Sequence, residues 1–202
     1  MTRAIYYTAT TLDGFIADEQ DSLAWLFEQQ IDQGGYGGYE AFIAGIGTIV
    51  MGSTTYAWVR DHLSATGESW PYDLPCWVFT HRDFGAPEED VRFVAGEVRE
   101  HHEAIVESAG DRDVWVVGGG DLAGQFADLG LLDQLVVAIA PVTLGTGRPL
   151  FPRRHNLKLV ELDTNGDKAT VAPRSASVRT HAAPIPRGFP APVTSAIIRR
   201  SG

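Results

Sequence analysis

Residues 114–132 read Val-Trp-Val-Val-Gly-Gly-Gly-Asp-Leu-Ala-Gly-Gln-Phe-Ala-Asp-Leu-Gly-Leu-Leu. Val114 to Val117 is a short, apolar, β-rich run, the pattern of a strand buried on both faces. Gly118, Gly119 and Gly120 follow with no side chain among them. Leu122, Phe126 and Leu129 then recur at helical spacing, with Asp121 and Asp128 on other faces. Strand, glycine turn, helix lets a phosphate reach bare backbone amides at a helix N-terminus. The same residues would also make a tight turn with no ligand. Gly118, Gly120 and Ala123 fit G-x-G-x-x-A, yet the context argues against a first-strand dinucleotide fingerprint. The stretch lies past the chain's midpoint, and no acidic residue follows at the required spacing of ~20 residues.

A second stretch repeats this logic. Ile46 to Met51 reads as a buried strand, and Gly52-Ser53-Thr54-Thr55-Tyr56 follows it. Its hydroxyls either cap the next helix or join the amides in holding a phosphate.

The other segments alternate strand and helix. Ala4 to Ala9 reads as a strand, followed by a loop with an Asp13-Gly14 turn. Asp21 and Ser22 offer cap chemistry to a helix carrying Leu23, Trp25, Leu26, Phe27 and Ile31. Tyr39 to Ala44 reads as a short helix and Asp61 to Leu74 as a polar loop. Cys76 to Thr80 and Val91 to Ala95 read as strands, and Glu97 to Ala109 as a surface helix. His101 and His102 lie on it, but adjacent residues share no helix face, so no metal site is expected. Gln134 to Ala140 reads as a buried strand. Leu157 to Leu162 reads as a strand turning at Asn165-Gly166 into a partner near Lys168. The four prolines between Ala183 and Pro192 exclude a central strand there. The domain is therefore expected at 1–182, with a Pro-rich tail at 183–202.

Composition narrows the function. The chain has 202 residues, 44% of them apolar, enough for one domain with a sizeable core. A net charge of −10 argues against nucleic acid as a partner. Cys76 is the only cysteine, so an internal disulfide is impossible. No apolar run approaches membrane-spanning length, so no membrane partner and a cytoplasmic location are expected.

Five blocks stand in a telling order: Thr-Leu-Asp-Gly at 11–14, Met-Gly-Ser-Thr-Thr-Tyr at 51–56 and Phe-Thr-His-Arg at 79–82, then Val-Gly-Gly-Gly at 117–120 and Pro-Val-Thr-Leu-Gly-Thr-Gly-Arg-Pro-Leu-Phe at 141–151. In this register the chain resembles the dihydrofolate-reductase-like superfamily. The last block is similar to the branch of the C-terminal reductase domain of bifunctional riboflavin-biosynthesis proteins. The resemblance implies a three-layer αβα fold with a mixed, mostly parallel sheet and an antiparallel C-terminal hairpin. It implies an NADPH site, with NADH the alternative, and hydride transfer to a small heterocyclic substrate. Ala9, Ile16, Val117, Gly118, Gly119, Gly120, Asp121 and Leu122 would border the cofactor, as would Gly52, Ser53, Thr54 and Thr55. Thr80, His81 and Arg82 would border the 2′-phosphate, with Arg82 supplying the charge that Ser53 lacks. Leu144, Gly145, Thr146 and Gly147 would form a substrate-side loop. Asp13 and Asp21 are the candidate catalytic carboxylates, and Asp21 also fits a helix N-cap. A cis peptide at Gly118–Gly119 and a homodimer through the region 144–162 are further implied. A non-catalytic nucleotide-binding module and a true dihydrofolate reductase are the alternatives.

Overall fold

The computed structural model describes residues 2–28, 39–87, 90–164 and 194–200. Six strands lie parallel, each rich in Val, Ile or aromatic residues. They are β1 (Ala4–Thr11), β3 (Ile46–Gly52), β4 (Cys76–Phe79), β5 (Val91–Val94), β6 (Asp113–Gly118) and β7 (Gln134–Ala140). Two more, β9 (Leu157–Thr164) and β10 (Thr194–Arg200), complete one sheet of order β5-β4-β3-β6-β1-β7-β10-β9. A small antiparallel pair, β2 (Phe15–Ala17) with β8 (Arg148–Pro149), lies apart from it.

Central strands with no polar face need cover on both sides, and helices provide it. On one side α4 (Val98–Ala109) and α5 (Gly120–Asp128) pack Val98, Ile105, Ala123 and Phe126 against Tyr6, Val50, Val114 and Val116. On the other, α2 (Tyr39–Ala44) and α3 (Ser53–Thr66) cover Ile5, Tyr7, Ile49, Met51, Trp115 and Val117. This is the three-layer αβα fold expected from the sequence.

Four local expectations change. The segment Asp61 to Thr66 is helical, because α3 runs on until Gly67 takes a left-handed conformation (φ 73°) and its amide bonds the Leu63 carbonyl at 2.8 Å. The first helix, α1, is described only over Ala24–Phe27. Its Ncap position is Leu23; Ser22 Oγ accepts from the Ala24 amide at 3.2 Å, and Asp21 caps nothing. The loop expected at Thr10–Ala17 instead extends β1 to Thr11 and forms β2, paired with β8. Finally, the hairpin partner of β9 is β10. It pairs antiparallel to β9 on one side and to β7 on the other. Thr194–Arg200 thus lies inside the sheet, just beyond the last proline of the tail. Asn165-Gly166 and the strand expected near Lys168 lie outside the described residues.

Helix α4 packs close to β3 at one point. A Cβ on Gly47 would stand 2.1 Å from the Ala109 carbonyl oxygen. Backbone cannot yield as a side chain can, so Gly47→Ala is expected to lower stability by about 1–3 kcal/mol, the usual scale of overpacking. Urea unfolding with an unchanged midpoint would contradict this packing.

Candidate active site

Parallel sheets of this type carry their crevice at the carboxyl ends of the strands, outside the sheet. Here the ends of β1, β3 and β6 open into a cavity of about 500 Å³. Ala9, Thr54, Thr55, Val117, Gly118, Gly119, Gly120 and Asp121 line it, with Ile16 and Arg82. These residues lie far apart in sequence and were grouped by motif alone.

The glycine run explains how β6 meets two helices. A Cβ on Gly118 would lie 2.8 Å from Thr55 Oγ1, so bare backbone is needed where α3 approaches. A Cβ on Gly120 would lie 2.4 Å from the Leu150 carbonyl oxygen. Between them Gly119 turns the chain at φ 88°, and a Cβ there would meet only Leu122 Cβ at 3.7 Å. Positive φ is where glycine is favoured. This turn replaces the expected cis peptide: the described residues contain no cis bond.

Neither α3 nor α5 has a side-chain cap; their Ncap residues are Gly52 and Gly119. Of the two readings of the Ser53, Thr54 and Thr55 hydroxyls, the capping one is therefore not seen. First-turn amides of a helix have no intrahelical acceptor, and both N-termini sit at the cavity. Arg82 adds a guanidinium that makes no ion pair among the described residues. Its neighbour Asp83 accepts instead from the Gly85 amide at 2.9 Å.

Several expected site residues stand outside the lining. Gly52, Ser53, Thr80 and His81 flank it, and Leu122 is buried in the core. The Thr80 hydroxyl accepts from the Arg82 amide at 2.8 Å and so shapes the loop. Asp13 is also absent from the lining. Its carboxylate accepts from the Thr11 hydroxyl (2.5 Å), the Leu144 amide (3.1 Å) and the Gly145 amide (2.7 Å). It thereby pins the 144–147 loop, whose residues also lie outside the cavity lining.

Asp21 does line the cavity. Its backbone is left-handed (φ 62°), and its carboxylate takes Arg148 Nε at 2.5 Å and Nη2 at 3.2 Å. Arg148 belongs to a block singled out in the sequence, but no sequence signal marked it as a site residue. The aromatic wall was missed too. Tyr7, Phe27, Tyr39, Trp58 and Trp115 all face the cavity. Trp58 was findable: it lies four residues after Thr54 and three after Thr55, on the same helix face. Burial first, then Tyr39, pushes the Tyr7 hydroxyl up to about 12. That hydroxyl has no partner among the described residues.

Behind the glycine run, Arg153 holds the segment after β8. It bonds Asp121 at 2.6 Å and Asp128 at 2.8 Å. A Cβ on Gly124 would stand 2.3 Å from Arg153 Nε, so this glycine makes room for the clasp.

Comparison with known proteins agrees with this architecture. Residues 77–171 match the family described as RibD C-terminal domain. Uncharacterized protein YwjB of Bacillus subtilis is 31% identical over 155 residues, covering 76% of this chain and 85% of its own. A Shewanella sp. PV-4 protein assigned to riboflavin biosynthesis superposes with a TM-score of 0.71 at 22% identity, covering 100% of both chains. The diaminohydroxyphosphoribosylaminopyrimidine deaminase/5-amino-6-(5-phosphoribosylamino)uracil reductase of Thermotoga maritima gives 0.61 at 14% identity, covering 99% of this chain and 57% of that one. Dihydrofolate reductase of Enterococcus faecalis, complexed with NADP(H), gives 0.55 at 13% identity, covering 99% and 97%. The fold is thus dihydrofolate-reductase-like. By sequence, the chain belongs to the family of the RibD C-terminal domain.

The Asp13 clasp has a pH signature. Hydrogen bonds from Thr11 first, then from the Gly145 and Leu144 amides, hold its carboxyl below the usual carboxylate range. A pKa lowered by folding stabilises at neutral pH, and that contribution is lost as pH falls through the folded value. Asp13→Asn should therefore speed hydrogen exchange at the Leu144 and Gly145 amides by roughly tenfold at pH 7. The native loop should loosen below the usual carboxylate range. Unchanged exchange in the variant would show that the loop is held elsewhere.

Proposed function

We propose that this chain is an NADPH-dependent reductase that delivers a hydride to a small heterocyclic ring. One observation carries the reading. Two helix N-termini without side-chain caps, a bare glycine turn and a guanidinium with no ion pair among the described residues line one cavity, together with five aromatic side chains. That donor set fits a dinucleotide. Amides at Gly119 to Asp121 and at Thr54 and Thr55 suit a pyrophosphate. Arg82 suits a 2′-phosphate, because a guanidinium forks onto phosphate oxygens. NADPH bound there supplies the hydride.

The chain's own residues orient and enclose. Trp58, Trp115 and Phe27 exclude water and present flat faces to a ring. The Tyr7 hydroxyl, buried and with its pKa pushed up to about 12, keeps its proton at neutral pH. Both expected carboxylates are engaged, Asp13 by the loop amides and Asp21 by Arg148. That observation favours a second reading, a non-catalytic nucleotide-binding module on the same scaffold. Cofactor oxidation with candidate rings separates the two.

Arg82→Ala should weaken NADPH by about 1.5–3 kcal/mol, roughly ten- to a hundred-fold, and leave NADH almost unchanged. Thermal unfolding against each cofactor reads this out, since a ligand of the native state raises stability by mass action. No shift of the unsubstituted protein with either cofactor at millimolar concentration removes the reductase reading.

The reading includes a homodimer through β9. Register through β10 places Leu159 on the face of Leu135 and Leu162 on that of Val137, with Leu157 two residues before Leu159. Leu159 is 57% exposed and Leu162 60%. This apolar strip ends the sheet, where an uncovered edge invites pairing. Light scattering should show a dimer at micromolar concentration and a monomer for Leu159→Lys; a monomeric unsubstituted chain rejects the dimer.

A further inference from the structure

We propose that the substrate end of this cavity takes an uncharged planar ring and rejects one carrying a phosphate. The inference rests on the reductase reading and adds the class of substrate. It follows from where the cavity's charges stand.

Among the described lining residues the only cationic side chains are Arg82 and Arg148. Arg82 follows β4, beside the N-terminus of α3, at the end suited to the cofactor. Arg148 is therefore the one cation left for an anionic substrate. Its guanidinium is already taken. Nε and Nη2 fork onto the two oxygens of Asp21, and Nη2 also reaches the Glu19 carbonyl at 3.4 Å. The carboxylates of Asp18 and Glu19 act on the same guanidinium. Asp21 thus holds this positive charge in a direct ion pair, and the Asp121 carboxylate of the lining is itself paired with Arg153. A phosphate entering here would find no free cation, because Asp21 already neutralises the Arg148 guanidinium with a bidentate ion pair. The chain's overall charge of −10 acts in the same direction.

The pair is also built in. Asp21 is the only described non-glycine residue with positive φ. Asp tolerates that conformation, at a cost, and here it directs the carboxylate onto Arg148. β8, which carries Arg148, is in turn fixed by its pairing with β2.

What the cavity does offer is flat apolar surface. Phe27 stacks on Trp58 with ring centroids 6.1 Å apart and planes 12° apart, and Trp58 stacks on His62 at 5.0 Å and 9°. Phe27 and Trp58 line the cavity while Phe27 remains 43% exposed. A planar ring would extend this stack by offset contact.

Matched pairs that differ only in a phosphate test the claim. With the protein saturated by NADPH, tryptophan fluorescence is titrated with riboflavin against riboflavin 5′-phosphate, and with uridine against uridine 5′-monophosphate. In at least one pair the unphosphorylated member should bind tighter by about tenfold or more, the change of one such charge interaction. Asp21→Asn, which keeps Arg148 and frees its fork, should narrow that gap; an unchanged NADPH thermal shift shows that this variant is folded. A tighter phosphorylated member, binding by neither member of either pair, or a gap that Asp21→Asn leaves intact overturns the inference. NADPH binding combined with phosphate preference overturns this inference alone. Absence of NADPH binding overturns the reductase reading and this inference with it.

Discussion

The structure depends on one close approach: the end of β6 against the start of α3. β3 and β6 are neighbours in the sheet, and each ends in glycine and launches a helix. Gly118 lets Thr55 come near enough that a Cβ would collide at 2.8 Å. Two helix N-termini are thereby brought to one cavity, with the Thr55 side chain packed against the bare backbone of Gly118. A larger residue at 118 would separate α3 from β6 and open the floor of the cavity. Core packing on both faces holds the strands that set this distance, through Val50 and Val116 on one side and Ile49 and Trp115 on the other.

Around that floor, the rest of the site is assembled by clasps between distant segments. Asp13 holds the 144–147 loop, Asp21 holds Arg148, and Arg153 holds the segment behind α5. Each clasp joins an aspartate to a partner more than twenty residues away. The pattern is economical in an acidic chain, because the aspartates that supply its charge also fix its loops. It also leaves Arg82 as the lining cation with no ion pair among the described residues.

Much of the fold was legible in the sequence. Buried parallel strands announce themselves as unbroken apolar runs, as at Ile46 to Met51, Val114 to Val117 and Gln134 to Ala140. The glycine run and Gly-Ser-Thr-Thr marked the cavity floor, because bare backbone has few other uses at a strand end. Less could be read where the outcome depends on tertiary partners. Asp61 to Thr66 is polar, and it is helical as the continuation of α3 up to the left-handed Gly67. Asp13 and Asp21 look like reactive carboxylates until their partners, 131 and 127 residues away, are seen. The second strand of the terminal hairpin follows a long proline-bearing stretch, so no local turn signal could locate it. Trp58 was readable from helical spacing, whereas Tyr7 and Trp115 were indistinguishable from core residues.

The central claim is that the bare backbone at the ends of β3 and β6 receives the phosphates of a nicotinamide cofactor. Amide chemical shifts measured during an NADPH titration address it residue by residue. The account predicts saturable shifts concentrated at Gly119, Gly120, Asp121, Thr54 and Thr55. Saturable binding that leaves those five amides unmoved would contradict it.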